Sequence, residues 1–379
     1  MYKKLYIIYI GILSLCFGAY LENIPVTLTQ PDNSELSCLS SGNENYIRLY
    51  NAENFTIIQH PEDGFYYYAQ FVRDEVVPSQ HRADSPLPEA AEIKEGVRIS
   101  REEYLQRRNR FHSRGGDRDA PTIGTVNNIN IFIRFADEGE FGTPRSVMDE
   151  PFNKPEGPSL AHYYDEVSYS QVEVNTHHFP VCDMSTNLSY QDQYPRSYYQ
   201  PYNAQTNPDG YTEANSAIRE QTMLKNAIDF IYDEVPLELD VDGNNDGYVD
   251  NVTFLISGSP DGWSDLLWPH RWSLYLYTVY INGSVVDSYN LNLASGGYFT
   301  VGTLCHEFFH SMGAPDLYHY NDNAAPTSAG GWDVMDGSAD TPQYMSAWMK
   351  HKYGNWIDCP LIEQLGIYPL LPLQYQESS

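Results

Sequence analysis

The sequence predicts an α/β unit preceded by a small β-rich N-terminal region. Three observations carry this. From Thr125 onward, strand-like and helix-like apolar patterns alternate, as they do where helices pack on a twisted sheet. Residues Asn23 to about Ala83 read instead as short strands and turns. Between the two lie seven arginines in Arg98–Arg118, nearly a third of the 22 basic residues.

Taken in order, Tyr2-Lys3-Lys4 precedes the apolar run Leu5–Ala19. This is the basic and apolar pattern of a signal peptide, with cleavage expected after Gly18. The run is too short to span a bilayer comfortably. In the β-rich region, Pro61-Glu62-Asp63-Gly64 reads as a turn and Tyr66-Tyr67-Tyr68 as strand. Glu102–Arg110 is expected to form a charged helix, and Ser113–Asp119 a loop. The arginines there suggest a pro-segment linker, cut at Arg107-Arg108 or Arg114. The expected organisation is thus 1–18 signal peptide, 19–118 pro-region with its linker, and 119–379 catalytic domain.

In the α/β unit, Ile129–Ile133 reads as a buried strand. Ser159 can cap a helix through Val167, and Gln171–Thr176 alternates as a strand. Ala217, Ile218, Leu224, Ala227, Ile228 and Ile231 fit the apolar face of a backing helix. Val252–Ile256 is another strand. Thr278–Ile281 and Ser284–Tyr289 flank Asn282-Gly283, a strong hairpin signal. A last helix is expected at about Thr300–Met312.

That last helix carries the chemistry. In His306-Glu307-Phe308-Phe309-His310, the two histidines are four apart and project from one face. Two imidazoles so placed can share a zinc ion, with Glu307 beside them as general base. Gly313 allows a sharp turn, Pro315 ends the helix, and Asp316 arrives where a third ligand is needed. Asp316 is favoured for that role, with His319 as its competitor. Met335, in Gly331-Trp332-Asp333-Val334-Met335-Asp336-Gly337, could form a methionine turn beneath the metal.

A second metal pattern lies upstream. Asp242, Asn244, Asp246 and Asp250 place oxygens as in the first nine positions of an EF-hand loop, with Gly247 sixth. Thr253 stands where the bidentate glutamate belongs, so a full EF-hand is excluded. A single calcium loop is the functional reading, and a turn that orders without metal is the structural one. His270, in Trp268-Pro269-His270, could contact substrate or simply pack beside the tryptophan.

Bulk properties agree with secretion. The chain has 379 residues, 51 acidic against 22 basic, and a formal charge of −29. Such a surface argues against nucleic-acid or anionic-membrane partners. Cys38, Cys182, Cys305 and Cys359 follow the signal, and a Cys182–Cys359 or Cys305–Cys359 bridge would staple the catalytic domain. Cys38 could instead cap the zinc in a latent form. Glycosylation sequons begin at Asn54, Asn187, Asn251 and Asn282; Asn251 is discounted as the start of a buried strand.

The chain resembles the immune-inhibitor-A-like family of secreted zinc metallopeptidases, whose zinc site is metzincin-like. The resemblance runs from about Ile24 to Leu373. It is carried by Val126–Phe135, Ser159–Ser170, Asp240–Asn251, Leu267–His270, Cys305–Tyr320 and Pro342–Trp356. It implies zinc-dependent peptide-bond hydrolysis, with His306, His310 and Asp316 as ligands, Glu307 as base and Met335 as the methionine turn. Family members often continue into a β-rich domain, whereas this sequence ends at Ser379. The expectation is a secreted, monomeric zinc endopeptidase acting on protein or peptide substrates, not inserted in a membrane once its signal is removed. Its rival is a catalytically silent calcium-binding or adhesion module on the same fold.

Overall fold

The computed structural model describes residues 21–104, 120–318, 328–359 and 363–367, less positions 33, 44–45, 61–62, 73–74, 89, 213, 261–263, 265, 296–298, 330, 338 and 340. The signal segment, the arginines from Arg107 to Arg118 and His319 therefore lie outside the described residues. So does most of the expected helix at Glu102–Arg110, of which residues 101–104 are helical. Among the described residues, no helix is long and apolar enough to cross a membrane.

The N-terminal region is an antiparallel sheet in simple sequence order: β1 (Leu21–Thr29), β2 (Glu35–Asn43), β3 (Tyr46–Tyr50), β4 (Thr56–Gln59), β5 (Tyr66–Val72) and β6 (Glu75–Arg82). Neighbouring strands paired through short turns need no crossover. One face is apolar, with Leu28, Cys38, Leu49, Ile57 and Tyr68 buried together.

The main unit opens with β7 (Gly124–Arg134), then α1 (Arg145–Asn153), α2 (Leu160–Val167), β8 (Val172–Phe179) and β9 (Tyr190–Gln191). It continues through α3 (Ser216–Ile231), β10 (Val252–Ile256), β11 (His270–Ser273), β12 (Val279–Ile281), β13 (Ser284–Val286), β14 (Ser288–Leu293) and α4 (Val301–Ser311). The principal sheet has the order β11-β14-β10-β7-β8, with β9 beside β7. Its strands β14, β10, β7 and β8 pair in parallel, and β11 is an antiparallel edge.

Both faces of this sheet are covered, as a parallel sheet requires. On one side Ile129, Ile131, Ile133, Val252, Phe254 and Ile256 meet Leu224, Ala227, Ile228 and Ile231 of α3. On the other, Phe132 and Leu255 meet α2 and α4 through Tyr164, Leu304, Phe308 and Phe309.

Several expected elements hold to the residue. Ser159 caps α2, accepting from the His162 N–H at 3.0 Å. Asn282 and Gly283 both take positive φ between β12 and β13, as a tight hairpin demands. The strand expected at Ser284–Tyr289 is broken at Asp287, because β13 pairs with β12 while β14 joins the main sheet. Strand β8 runs on to Phe179. On α3, Ile218 is 51% exposed, so it is not part of the buried face. Glu220 and Gln221 are buried instead, because polar partners await them on the sheet side.

The cysteine expectations fail. Cys38, Cys182, Cys305 and Cys359 are all free thiols, and neither expected bridge forms. Cys305 is enclosed in the core of α4, while Cys359 is exposed at the surface. Cys38 sits inside the N-terminal sheet, where burial pushes its thiol up to about 12. A protonated, enclosed sulfur is a poor metal cap. Two sequons are also enclosed: Asn187 holds the Arg145 guanidinium at 2.9 Å, and Asn251 is fully buried.

The face of the sheet beneath α4 is unusually polar. Asn128 Nδ2 donates to Thr176 Oγ1 at 3.1 Å, and its Oδ1 accepts from Asn251 Nδ2 at 2.7 Å. Asn251 Oδ1 in turn accepts from Asn290 Nδ2 at 3.1 Å and from the Ser311 hydroxyl at 2.7 Å. The row runs across β8, β7 and β14, through Asn251 just before β10, and ends on the last turn of α4, so it fixes where the helix sits along the sheet.

Removing its centre should be costly. Asn251→Ala strands Asn290 Nδ2, leaves Ser311 only its longer 3.4 Å bond to Asn290 Oδ1 and removes one of two donors to Asn128 Oδ1; a stranded buried group costs about 1–3 kcal/mol. We expect a loss of roughly 2–4 kcal/mol in denaturant unfolding. A loss below about 0.5 kcal/mol would show that the row is not a fastener.

Candidate metal centre

Helix α4 begins where Thr300 Oγ1 accepts from the Thr303 N–H at 3.0 Å. It ends at Met312, and Gly313 turns the chain at φ +86°. The Gly313 N–H donates to His310 O, and the Ala314 N–H to Phe309 O. These bonds satisfy the last helical carbonyls and fold the chain back. Asp316 is thereby returned beneath the helix, where the Leu317 N–H donates to Met335 O at 2.8 Å.

Each histidine is held from behind. His306 Nδ1 lies 2.8 Å from Val334 O, and His310 Nδ1 lies 2.7 Å from Ala314 O. A carbonyl can only accept, so both Nδ1 atoms carry a proton, and in the neutral rings both Nε2 atoms present lone pairs. The two Nε2 atoms face each other at 3.1 Å. Asp316 Oδ1 completes the group, 2.9 Å from His306 Nε2 and 3.2 Å from His310 Nε2. Among the described residues this is the one group of three or more His, Cys, Asp or Glu side chains whose ligand atoms converge on a common point.

The electrostatics match a cation site. Burial alone would lower the His310 pKa, but the Asp316 carboxylate outweighs it and raises the imidazole to about 9. Burial would likewise raise Asp316, and the two histidines hold it well below the usual carboxylate range. Two facing imidazole lone pairs beside a carboxylate call for positive charge between them.

Glu307 lies about 100° around the helix from His306. It is 1% exposed, and neither carboxylate oxygen has a hydrogen-bond partner among the described residues. Burial raises its pKa. Met335 is fully buried in the same apolar cluster as α4. Its turn is tied by Asp333, whose Oδ1 accepts from the Met335 N–H at 2.9 Å and whose Oδ2 accepts from the Ser346 N–H at 2.8 Å. An aspartate two residues before the methionine is a recognisable turn signal in the sequence, and Asp333 fills that role.

His270 is committed elsewhere. Its Nδ1 lies 2.7 Å from Trp268 O and its Nε2 3.1 Å from Glu220 Oε1. Tyr289 also donates to Glu220. With both ring nitrogens engaged and 3% exposure, His270 supports the edge strand from behind and is not a substrate contact. Nothing in the spacing of Glu220, His270 and Tyr289 signals this cluster.

The Asp242–Asp250 loop closes on itself. Asp242 accepts the Asp246 and Gly247 N–H groups at 2.9 Å each, and Asp246 accepts the Tyr248 N–H at 2.9 Å. Asp250 Oδ2 accepts the Gly243 N–H at 3.0 Å. These bonds order the loop, and its carboxylates do not converge as the histidine group does.

The His270–Glu220 pair carries a pH signature. Burial would lower the His270 pKa, but Glu220 raises it from 6.5 to about 9. A group whose folded pKa is raised contributes stability that is complete below the unfolded value. That contribution is lost as pH rises through about 9. Glu220→Gln should therefore lower stability most near pH 6, and the deficit should shrink toward about pH 10. Unfolding curves of both proteins across that range test this; a deficit independent of pH would show that the pair is uncharged.

No family model matches the chain, and no curated protein matches it. The likeness to immune-inhibitor-A-like peptidases therefore rests on the motifs alone. Among solved structures, the crystal structure of metalloproteinase-II from Bacteroides fragilis is similar at 13% identity and a TM-score of 0.30, over 89% of this chain and 86% of that one. At that TM-score the likeness supports no argument about fold or activity.

Proposed function

We propose that this chain is a secreted zinc-dependent endopeptidase. The observation that carries the reading is an unpaired, fully buried carboxylate, Glu307, one residue from a converged His-His-Asp group. The donor set fits zinc. Ligands at about 2.0–2.1 Å around a tetrahedral ion lie about 3.3 Å apart, close to the spacings of 2.9, 3.1 and 3.2 Å seen here. Two histidines and a carboxylate also suit iron(II), but a free carboxylate beside the site favours hydrolysis.

His306, His310 and Asp316 would hold the zinc, which would supply Lewis-acid activation of the attacking water and of the scissile carbonyl. Glu307 takes a proton from the attacking water and delivers it to the leaving amine. Its raised pKa brings it closer to the range where one group serves both as base and as acid. The Val334 and Ala314 carbonyls hold the imidazoles in the tautomer that presents Nε2.

The N-terminal sheet and the arginine-rich segment that follows it are assigned to a pro-region. Secretion is assigned from the leader and the acidic surface.

Two substitutions separate ligand from base. Asp316→Ala should release most of the zinc, measured by metal analysis, while His319→Ala should not. Glu307→Gln should keep zinc and fold yet lose about 10²–10⁴-fold in turnover. Near-normal peptidase activity in the zinc-loaded glutamine variant would sink the mechanism. Absence of chelator-sensitive peptidase activity in the mature wild type would favour the silent adhesion module.

Processing is testable by mass spectrometry of the secreted protein. The mature N-terminus should fall between about Arg98 and Ala120, and the uncut form should be latent. Equal activity before and after that cut would remove the pro-region assignment.

A further inference from the structure

The turn that carries Met335 touches two of the three candidate ligand segments. Val334 O holds the His306 ring at Nδ1, 2.8 Å away. Met335 O accepts the Leu317 N–H at 2.8 Å, and Leu317 directly follows Asp316. His306 and Asp316 therefore take their places from adjacent carbonyls of one short turn. His310 does not, because its Nδ1 is held by Ala314 O beyond the end of α4.

One side chain fixes that turn. Asp333 is fully buried, and both of its carboxylate oxygens are engaged. Oδ1 accepts the Met335 N–H at 2.9 Å, within the turn itself. Oδ2 accepts the N–H of Ser346, thirteen residues further on, at 2.8 Å. The Val334 N–H reaches Tyr344 O at 3.2 Å, so the turn is tied twice to the 344–346 segment. The Asp336 and Gly337 N–H groups donate to Asp333 O at 3.0 and 3.2 Å and close the turn behind it. A local aspartate turn needs only the first of the two side-chain bonds. The second belongs to no local turn and anchors the carbonyls of Val334 and Met335 to a separate segment. A carboxylate can make both bonds because it has two acceptor oxygens. A carboxamide of the same shape has one, and its nitrogen would face an N–H group.

We propose that Asp333 is a positioning residue of the metal centre, which pre-arranges His306 and Asp316 through the turn and so sets the zinc affinity. The proposal rests on the zinc reading above. Ligands that are already arranged lose little freedom when the ion arrives, whereas a loose turn has to be ordered on binding. Groups that orient zinc ligands are worth roughly 10–100-fold in metal affinity. Asp333 acts one link further out, through backbone carbonyls, so the lower end of that range is expected, about tenfold.

The test is the zinc affinity of the full chain, stripped of metal and titrated with zinc against a chromogenic chelator. Wild type, Asp333→Asn and Asp333→Ala are compared at a temperature where circular dichroism shows them folded. Both variants should bind zinc about tenfold more weakly. If the alanine variant does not fold, the isosteric asparagine variant decides alone. A second readout needs no metal. The His306 Nδ1 proton should exchange with solvent faster in the variants than in the wild type, and the His310 Nδ1 proton should not. Zinc affinity within about twofold of the wild type in a folded variant overturns the proposal. So does equal loosening of both rings, which would make Asp333 a general support of the fold. A wild type that binds no zinc overturns the zinc reading, and this proposal with it.

Discussion

Two backbone carbonyls set the geometry of the site. Val334 O and Ala314 O each take the Nδ1 proton of one histidine, leaving both Nε2 lone pairs directed at one point. The carbonyls come from different places. One belongs to the turn that carries Met335, the other to the turn made by Gly313. The site therefore depends on two loops being closed, and each closure has its own fastener. Asp333 ties the first through two backbone N–H groups. The helix-terminal bonds at Gly313 and Ala314 tie the second. A histidine pair on a free helix would have the spacing without the tautomer.

The sheet supplies the other half of the constraint. Helix α4 lies on a row of asparagines and hydroxyls instead of a purely apolar surface. Apolar contacts resist separation but tolerate sliding. Hydrogen bonds at fixed positions along Asn251 and Asn290 do not tolerate it. The row sets the helix's position along the sheet, and through it the level at which the histidines and Glu307 sit. It also explains why a sheet buried on both faces can carry polar residues at alternate positions of β14.

That alternation marks where sequence reasoning stops. The pattern of Asn290, Leu291, Asn292 and Leu293 resembles a strand with one wet face, yet all four are buried. Burial on the second face comes from α4, which no local pattern announces. Helix α2 with its Ser159 cap, β10 and the position of α4 were legible because their signals are local. The His306, His310 and Asp316 group was legible because helix spacing and a glycine turn bring it together within eleven residues. Glu220, His270 and Tyr289 were not, because their meeting is made by strand pairing and helix docking across 69 positions. Ile218 was misplaced for a related reason. The helix rotates to bury Glu220 and Gln221, whose partners lie on distant elements.

The free thiols bear on how the protein must be handled. Cys38 and Cys305 are enclosed and kept protonated by burial, so they resist oxidation. Cys359 stands exposed at the surface, unpaired among the described residues. In air, two molecules can join through it into a covalent dimer unrelated to any native association. The usual remedy, a dithiol reductant, is itself a strong zinc chelator, because thiolates are good ligands for that ion. On the proposed zinc reading, a preparation reduced in that way loses its metal and is mistaken for an inactive protein. A phosphine reductant, or Cys359→Ser, separates colloidal behaviour from metal content.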